Sequence, residues 1–476
     1  MKPGRGGGVC VSCRPVVILV IWGLGLGACT PKPFDDPLAV MVDRGVAFRF
    51  RRRATDQAHR QHANQPRWVA VLNQLIWERG YPQWQRRDAI DRLVDHDEKQ
   101  FQRVLAKRIV SVTDRPTRQY LLDLAVQRNW GGLTPVAVLS YAQPDRGVPD
   151  RQRPERAMIE YFNPGRTVQQ AVVGVLINAD GTATWGQRAA AWELLSRWLD
   201  QPSLKTRLNQ MPVTDSWIAD LKAAVEQLSV LPRNREELLW LEFLRAPHRR
   251  GHWQRAVSAV AQLTHDQRLG MGFRHLPVVV SAKASLLAMS RDELESELMA
   301  KGVGRVHGDG DHPANGRLRP HGFVSMAWAD LATVRLLTAV LQDPSVVGDW
   351  FRRADADHRD KRSEHGGVVD AAGGRYVVRP YEPLMVRHDR VYYPPPAMIQ
   401  HLYTALAHYH FHAQDHRNGR FSAPGEGDLA FADHMNLNCL VLTFLDRDRL
   451  AVRYYQRGGA VVDLGTIRRP GSAGLQ

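Results

Sequence analysis

Cysteine is scarce in this sequence: the 476 residues include four, at positions 10, 13, 29 and 439. Residues 1–28 have the features of a cleaved leader described below, so a mature chain would keep only Cys29 and Cys439, and a disulfide framework is excluded. Cys439 lies in the apolar segment 437–442, where a lone cysteine is typical of a small core residue. The sequence also lacks a Gly-x-Ser-x-Gly motif, which leaves a serine hydrolase without support.

Long apolar runs are missing too, because no segment has ~18 consecutive apolar residues and no membrane-spanning helix is expected. Residues 16–28 would cover ~20 Å as a helix, short of a ~30 Å hydrocarbon core. They follow Lys2, Arg5 and Arg14 with no acidic residue, as in a signal peptide. The run ends in Leu-Gly-Ala-Cys at residues 26–29, which resembles the bacterial lipobox. The resemblance implies a lipoprotein signal peptide at 1–28, a lipid on Cys29 and export to the cell membrane or outer membrane.

Acidic residues are too few to balance the basic ones. The formal net charge is +15, and +12 remains once the three leader cations are subtracted. Such a charge raises the affinity for anions. Because export is expected, we expect a membrane with anionic headgroups or an envelope polymer as the neighbour, and no nucleic acid. Residues 29–64, rich in Pro, Asp, Arg and Gln, are predicted to be a flexible tether.

Apolar residues recur at helical spacing from residue 65 to residue 245. The pattern around Trp84 recurs around Trp185, 101 residues later, and two helical repeats of ~40–47 residues would nearly fill that interval. This region is therefore predicted to be all-α, either HEAT-like repeats or an irregular bundle, and to bind protein. Residues 246–325 are predicted to be a further helical segment followed by a Gly-rich linker.

The linker contains His307, Asp309, Asp311 and His312, which could hold a cation, but the surrounding Gly, Asn and Pro favour turns. Beyond Gly366 the pattern changes to short strand-like runs, so residues 326–476 are predicted to form a mixed α/β domain. The predicted strands are residues 376–378, 384–386, 391–393, 405–413, 437–445, 450–455 and 460–464.

Histidines cluster inside this domain, with four between residues 408 and 416 in a chain that has 19. Successive side chains of a strand alternate between its faces, so His410 and His412 project from the same side. Two imidazoles on one face can converge on a zinc ion, which needs a third protein ligand and an open position in a catalytic site. Asp428 is the candidate third ligand, because residues 424–428 form a glycine-containing turn before a helical run that could fold back over the strand.

This pattern resembles the JAMM metalloprotease family, also called JAB or MPN domains. The resemblance rests on Glu364 before the Gly-rich segment 366–369, on His-Phe-His at 410–412 and on Pro-Gly-Glu-Gly-Asp at 424–428. It covers residues 326–476 and implies one Zn²⁺ held by His410, His412 and Asp428. Glu364 would then act as general base on the water nucleophile and protonate the leaving amine.

Two features depart from the family pattern: the serine position and the loop from His412 to Asp428, which is longer than usual and has Ala413 where a proline commonly follows the second histidine. Gly425 stands where the family has a serine that supports the oxyanion or the water, and Ser422 is the candidate replacement. The pair His408 and His410 fits the spacing equally well, but the later pair lies nearer the Asp-bearing turn.

The sequence thus favours a membrane-anchored zinc peptidase or isopeptidase that acts on a protein or peptide substrate. The alternative is a catalytically inactive JAB-like domain which, with the helical region, forms a binding scaffold in the cell envelope. Retention of the Glu, both His and the Asp favours the enzyme, and the missing serine favours the scaffold.

Overall fold

A computed structural model describes residues 32–63, 65–143, 148–178, 181–304, 323–372, 374–385 and 391–471. Cys29, the leader and the linker residues 305–322 lie outside the described residues, and so do His307, Asp309, Asp311 and His312. The chain divides into two compact units, residues 1–104 and residues 105–476.

The first unit is helical in its described part. Its helices are α1 (Pro37–Val42), α2 (Phe48–His62), α3 (Pro66–Trp77) and the greater part of α4 (Gln83–Arg108). The prediction of a flexible tether over residues 29–64 is therefore wrong for the described residues, since α1 and α2 lie there. Leu38, Met41, Ala54 and Ala58 are buried. Two of these four are alanines on a helix rich in arginine, so the sequence shows too weak an apolar stripe to predict the burial.

The second unit begins with helices and ends with a sheet, as predicted. Pro or an N-capping side chain marks the start of most of these helices, for example the capping box of Ser290 and Glu293. The helices are α5 (Arg115–Gln127), α6 (Thr134–Ala142), α7 (Pro154–Phe162), α8 (Val168–Ile177), α9 (Trp185–Trp198), α10 (Gln201–Gln210), α11 (Ser216–Leu228), α12 (Arg235–Arg245), α13 (Arg250–Ala261), α14 (His265–Arg268), α15 (Leu276–Ser281), α16 (Ala284–Leu287), α17 (Arg291–Ala300), α18 (Trp328–Val340), α19 (Pro344–Arg359), α20 (Pro396–His401) and α21 (Glu426–Met435). Among the described helices, none combines the length and apolar character needed to cross a bilayer.

Six strands form one mixed sheet in the order β2-β1-β3-β4-β5-β6. They are β1 (Gly366–Ala372), β2 (Arg375–Tyr381), β3 (Ala407–His412), β4 (Asn438–Asp446), β5 (Arg449–Gln456) and β6 (Val461–Arg468). The neighbours β3 and β4 are parallel and every other pair is antiparallel. A parallel pair needs a crossover connection, and α21 lies in the one that joins β3 to β4.

Two of the predicted strands do not form in the part of their length that the structure describes. Residues 384–385 and 391–393 are irregular, and the Leu384 N–H donates to the Tyr393 carbonyl at 2.7 Å. Proline explains the failure to form a ladder: Pro383 precedes the first segment and prolines 394–396 follow the second, and none of these has an N–H to donate.

A buried polar network joins the sheet to the helices that precede it. The Arg274 guanidinium donates to the Asp330 carboxylate at 2.7 Å and to the Asn436 side chain at 2.7 Å. Asn436 in turn donates to the buried Glu237 carboxylate at 2.6 Å. These four residues come from both sides of the boundary predicted at residue 325, so helices and sheet share a core there.

Candidate metal centre

Strand β3 presents three histidines on one face and two aromatic rings on the other. His408 and His410 are almost completely buried, and His412 is half-buried. Tyr409 and Phe411 point to the opposite face and are fully buried. Alternation along the strand therefore places the imidazoles together, as the sequence predicted.

Helix α21 brings Asp428 to these histidines. Gly425 is the N-cap residue of the helix, and its N–H donates to Oδ2 of Asp428 at 2.7 Å. The carboxylate thus sits in the first helical turn, where the N-terminal end of the helix dipole stabilises negative charge. The sequence-based hypothesis that this turn folds back over the strand is confirmed.

The three side chains form a cluster with the dimensions of a metal site. Nε2 of His410 lies 3.3 Å from Nε2 of His412 and 3.4 Å from Oδ1 of Asp428. Nε2 of His412 lies 3.6 Å from Oδ2 of Asp428. Ligands ~2.0–2.1 Å from a tetrahedral zinc ion are ~3.3–3.4 Å from each other. The donor set and its spacing therefore fit a small cation such as Zn²⁺.

Hydrogen bonds fix which imidazole nitrogen is free to bind a cation. Nδ1 of His412 lies 2.6 Å from the carbonyl oxygen of Phe421. Since a carbonyl can only accept, Nδ1 carries the proton and Nε2 keeps its lone pair for the cluster. Nδ1 of His410 lies 3.4 Å from the hydroxyl of Tyr455, which can play the same part. Such outer partners are typical of histidine ligands to metals.

The electrostatics of the cluster suit a cation. Burial and the neighbouring His410 lower the pKa of His412 to about 4. Burial disfavours the charged form of His410 as well, but the Asp428 carboxylate outweighs burial and raises its pKa. Burial opposes the ionisation of Asp428, yet His410 and His412 hold its pKa below the usual range. An ionised carboxylate between imidazoles is the arrangement that a bound cation would neutralise.

Glu364 lies beside the cluster because of the pairing between β1 and β3. Gly366 pairs with His410, and the backbone N–H of Phe411 donates to the His365 carbonyl at 3.2 Å. Continuing this antiparallel register by two residues places Glu364 opposite His412. The Glu364 carboxylate is buried and accepts a hydrogen bond of 3.1 Å from the amide of Gln414.

All four candidate side chains line one cleft of about 1090 Å³. Its walls include the aromatic rings of Tyr392, Tyr393, Phe421 and Phe431, while Lys361 and Arg420 add positive charge and Asp415 adds negative charge. This volume can accept a stretch of substrate beside the cluster.

The other candidates from the sequence take different places. His408 lines the cleft but lies outside the cluster of three: its Nδ1 donates to the Gly367 carbonyl at 3.0 Å, and its ring stacks between Tyr392 and His410. Ser422 is buried and does not line the cleft; its backbone N–H donates to the Gly419 carbonyl at 3.0 Å. His416 packs against Phe444.

Three supporting residues were missed by the sequence analysis. Gln414 holds Glu364, and Asn418 donates to the Gln414 side chain at 2.9 Å and to the His412 carbonyl at 3.0 Å. The alternation that places His410 and His412 on one face, extended to residue 414, could have found Gln414. Tyr455 lies on β5, two strands away from β3, and no local pattern links it to the histidines.

No protein-family model, curated protein or solved structure matches this chain significantly.

Proposed function

We propose that the C-terminal domain is a zinc-dependent hydrolase of amide bonds, a peptidase or isopeptidase of the JAMM type. The observation that carries this proposal is the cluster of His410, His412 and Asp428, with ligand atoms within 4.8 Å of one another, in a cleft that Glu364 also lines. Three protein ligands and one open position are what a catalytic zinc site requires.

Each side chain has a defined task in this reaction. His410, His412 and Asp428 hold the ion, which when bound supplies a Lewis acid and lowers the pKa of water toward ~7. Glu364 takes the proton of the attacking water and delivers it to the amine nitrogen of the leaving group. Gln414 holds the Glu364 carboxylate at 3.1 Å and so orients it for both transfers.

The test uses Glu364→Gln, which keeps the shape of the side chain and removes its basicity. We expect wild type to contain about one zinc per chain and to cleave members of a peptide library, whereas the variant keeps its zinc and loses at least ~100-fold in rate. Metal content is measured by mass spectrometry on the purified full chain. Equal rates for the two proteins, or the absence of zinc from both, would contradict the proposal.

One observation favours the alternative of a non-catalytic binding scaffold. Among the described residues that line the cleft there is no serine or threonine hydroxyl, and Gly425 occupies the position of the family's serine. A scaffold would keep the fold and the cleft but show no cleavage of any library member. The Glu364→Gln comparison separates the two functions.

The proposal also includes a lipid on Cys29 that anchors the protein to a membrane. The helical region, which is HEAT-like in its sequence pattern, would serve as a protein-binding arm. The first helical turns of α2 support a location at a membrane, because Phe48 and Phe50 are exposed and alternate with arginines. Exposed aromatic and basic side chains suit an anionic membrane surface. Cys29→Ser should release the protein from the membrane fraction of the producing cell, and retention of the variant there would contradict the anchor.

A further inference from the structure

A second cavity, of about 740 Å³, lies in the same unit and shares no lining residue with the metal cleft. It opens between α13, α15, α20 and β1. Arg249, His252 and Arg255 line one side, and Asp370 and His401 line another. Its charged groups are therefore drawn from elements that are far apart in the chain.

The three basic residues are spaced three apart, so they lie on one side of α13. Arg249 is the N-cap residue of this helix, and His252 and Arg255 lie within it. Nη2 of Arg255 lies 2.9 Å from Nδ1 of His252, and because a guanidinium only donates, that nitrogen accepts and the imidazole proton is on Nε2. Burial, with Arg255 and Arg249, lowers the pKa of His252 and keeps it neutral. This side of the cavity is therefore a row of donors.

Among the described residues, neither of these two guanidinium groups has an acidic partner. Nε of Arg249 is buried without a hydrogen-bond partner, and neither Arg249 nor Arg255 forms an ion pair within the part of the chain that the structure describes. A buried donor without a partner is uncommon in folded proteins.

The acid in the cavity is already neutralised. Asp370 accepts hydrogen bonds of 3.1 Å from Nε of Arg379 and from Nε2 of His401. His401 is held in that tautomer by the Tyr381 hydroxyl, which lies 2.7 Å from Nδ1. The uncompensated charge of the cavity is therefore that of Arg249 and Arg255.

We propose that this cavity binds a small molecule that carries a phosphoryl group. A phosphoryl group has a charge of about −1.5 to −2 and three acceptor oxygens, which match two guanidinium groups and the Nε2–H of His252. Leu276, Pro277 and Val280 give the cavity an apolar side for the rest of the ligand, and its volume is in the ~300–1,000 Å³ range of small-molecule sites.

The test is calorimetric titration of the full chain with inorganic phosphate and with glycerol 3-phosphate. We expect Arg249→Gln and Arg255→Gln each to weaken binding by about 10-fold or more, the effect of losing a charge-assisted hydrogen bond. Arg250→Gln is the matched control, because this exposed neighbour does not line the cavity and its loss changes the net charge equally. We expect it to change affinity less than about 2-fold.

Equal weakening of phosphate binding by all three variants would show a diffuse charge effect. The absence of binding heat from wild type at millimolar phosphate would show that no site exists. Either result overturns the proposal. Circular dichroism establishes that each variant is folded. Zinc content should be unchanged in all three, so this test is independent of the metal centre.

Vesicles of phosphatidylglycerol distinguish the source of the phosphoryl group. Binding of the protein to these vesicles that Arg249→Gln also weakens indicates a lipid headgroup. Binding of phosphate without binding to vesicles indicates a soluble ligand.

Discussion

Replacing His412 by alanine is the most direct perturbation of the metal centre. In the proposed centre Nε2 of His412 would be one of three protein ligand atoms, and it lies 3.3 Å from Nε2 of His410 and 3.6 Å from the Asp428 carboxylate. Loss of an outer partner of a ligand already lowers metal affinity by ~10–100-fold. Loss of the ligand itself should therefore raise the dissociation constant for zinc by at least ~100-fold, which is ~2.7 kcal/mol.

The fold should survive this change, because the His412 ring projects into the cleft and His412→Ala removes no buried apolar side chain. The affinity is measured by competition between the full chain and a chromophoric zinc chelator. His416→Ala is the matched control: this histidine comes from the same His-rich segment, but its ring packs on Phe444 and it is not one of the cluster's ligands. The reasoning is refuted if His412→Ala binds zinc as tightly as wild type, or if His416→Ala loses zinc to the same extent.

Three further outcomes follow from the packing and the buried charges. Gly367→Ala should destabilise the domain by ~1–3 kcal/mol, because a Cβ at this position would lie 2.0 Å from the Arg379 carbonyl oxygen. Gly132→Ala is the control, since a Cβ there would have no atom within 4 Å. Denaturant titration compares the two variants, and equal stability would be inconsistent with the clash. Asp330→Asn should lower the free energy of unfolding by ~3–5 kcal/mol, since it leaves the buried Arg274 guanidinium without its counter-charge. Asp292→Asn, at a side chain that is 93% exposed, should leave the denaturation midpoint unchanged. An unchanged midpoint for Asp330→Asn would contradict the cost assigned to the buried pair. The stability of wild type should fall as the pH drops below about 6.5, because burial and Arg274 lower the pKa of His275 in the folded state, so the unfolded chain binds a proton that the folded chain does not. In the folded state Nδ1 of His275 accepts a hydrogen bond of 2.9 Å from the Gly272 N–H, and protonation of the ring would break that bond. His275→Gln should therefore reduce the slope of stability against pH between pH 7 and 5. An unchanged slope would exclude this histidine as the cause.

The sequence predicted the part of the site that local rules determine. Strand alternation places His410 and His412 on one face, and a glycine-containing turn before a helical run places Asp428 in a first helical turn. Both rules act over a few residues, and both hold in the structure. The placement of Glu364 depends instead on the register between β1 and β3, which the sequence does not specify without the family resemblance.

The failures have a physical cause in each case. The tether prediction failed because α2 buries Ala54 and Ala58 while arginines dominate its composition, so average hydrophobicity concealed the contact face. The described residues 384–385 and 391–393 are not strands because the prolines that flank these apolar runs cannot extend a hydrogen-bonded ladder. Tyr455 was missed because its approach to His410 is set by strand order.

The parallel pairing of β3 and β4 explains why ligands 16 residues apart meet. In a parallel pair the connection leaves the C-terminal end of the first strand, where His412 lies, and must return across the sheet to the start of the second. The helix in this crossover therefore begins beside His412, and Asp428 is in its first turn. The helix is also held at its other end, where Asn436 takes a left-handed conformation with φ of 54° and bonds to Arg274 and Glu237. Because the Gly425 N–H holds the Asp428 carboxylate and Asn436 anchors the end of the helix, Asp428 would lose little freedom on binding a cation, as the proposed metal centre requires.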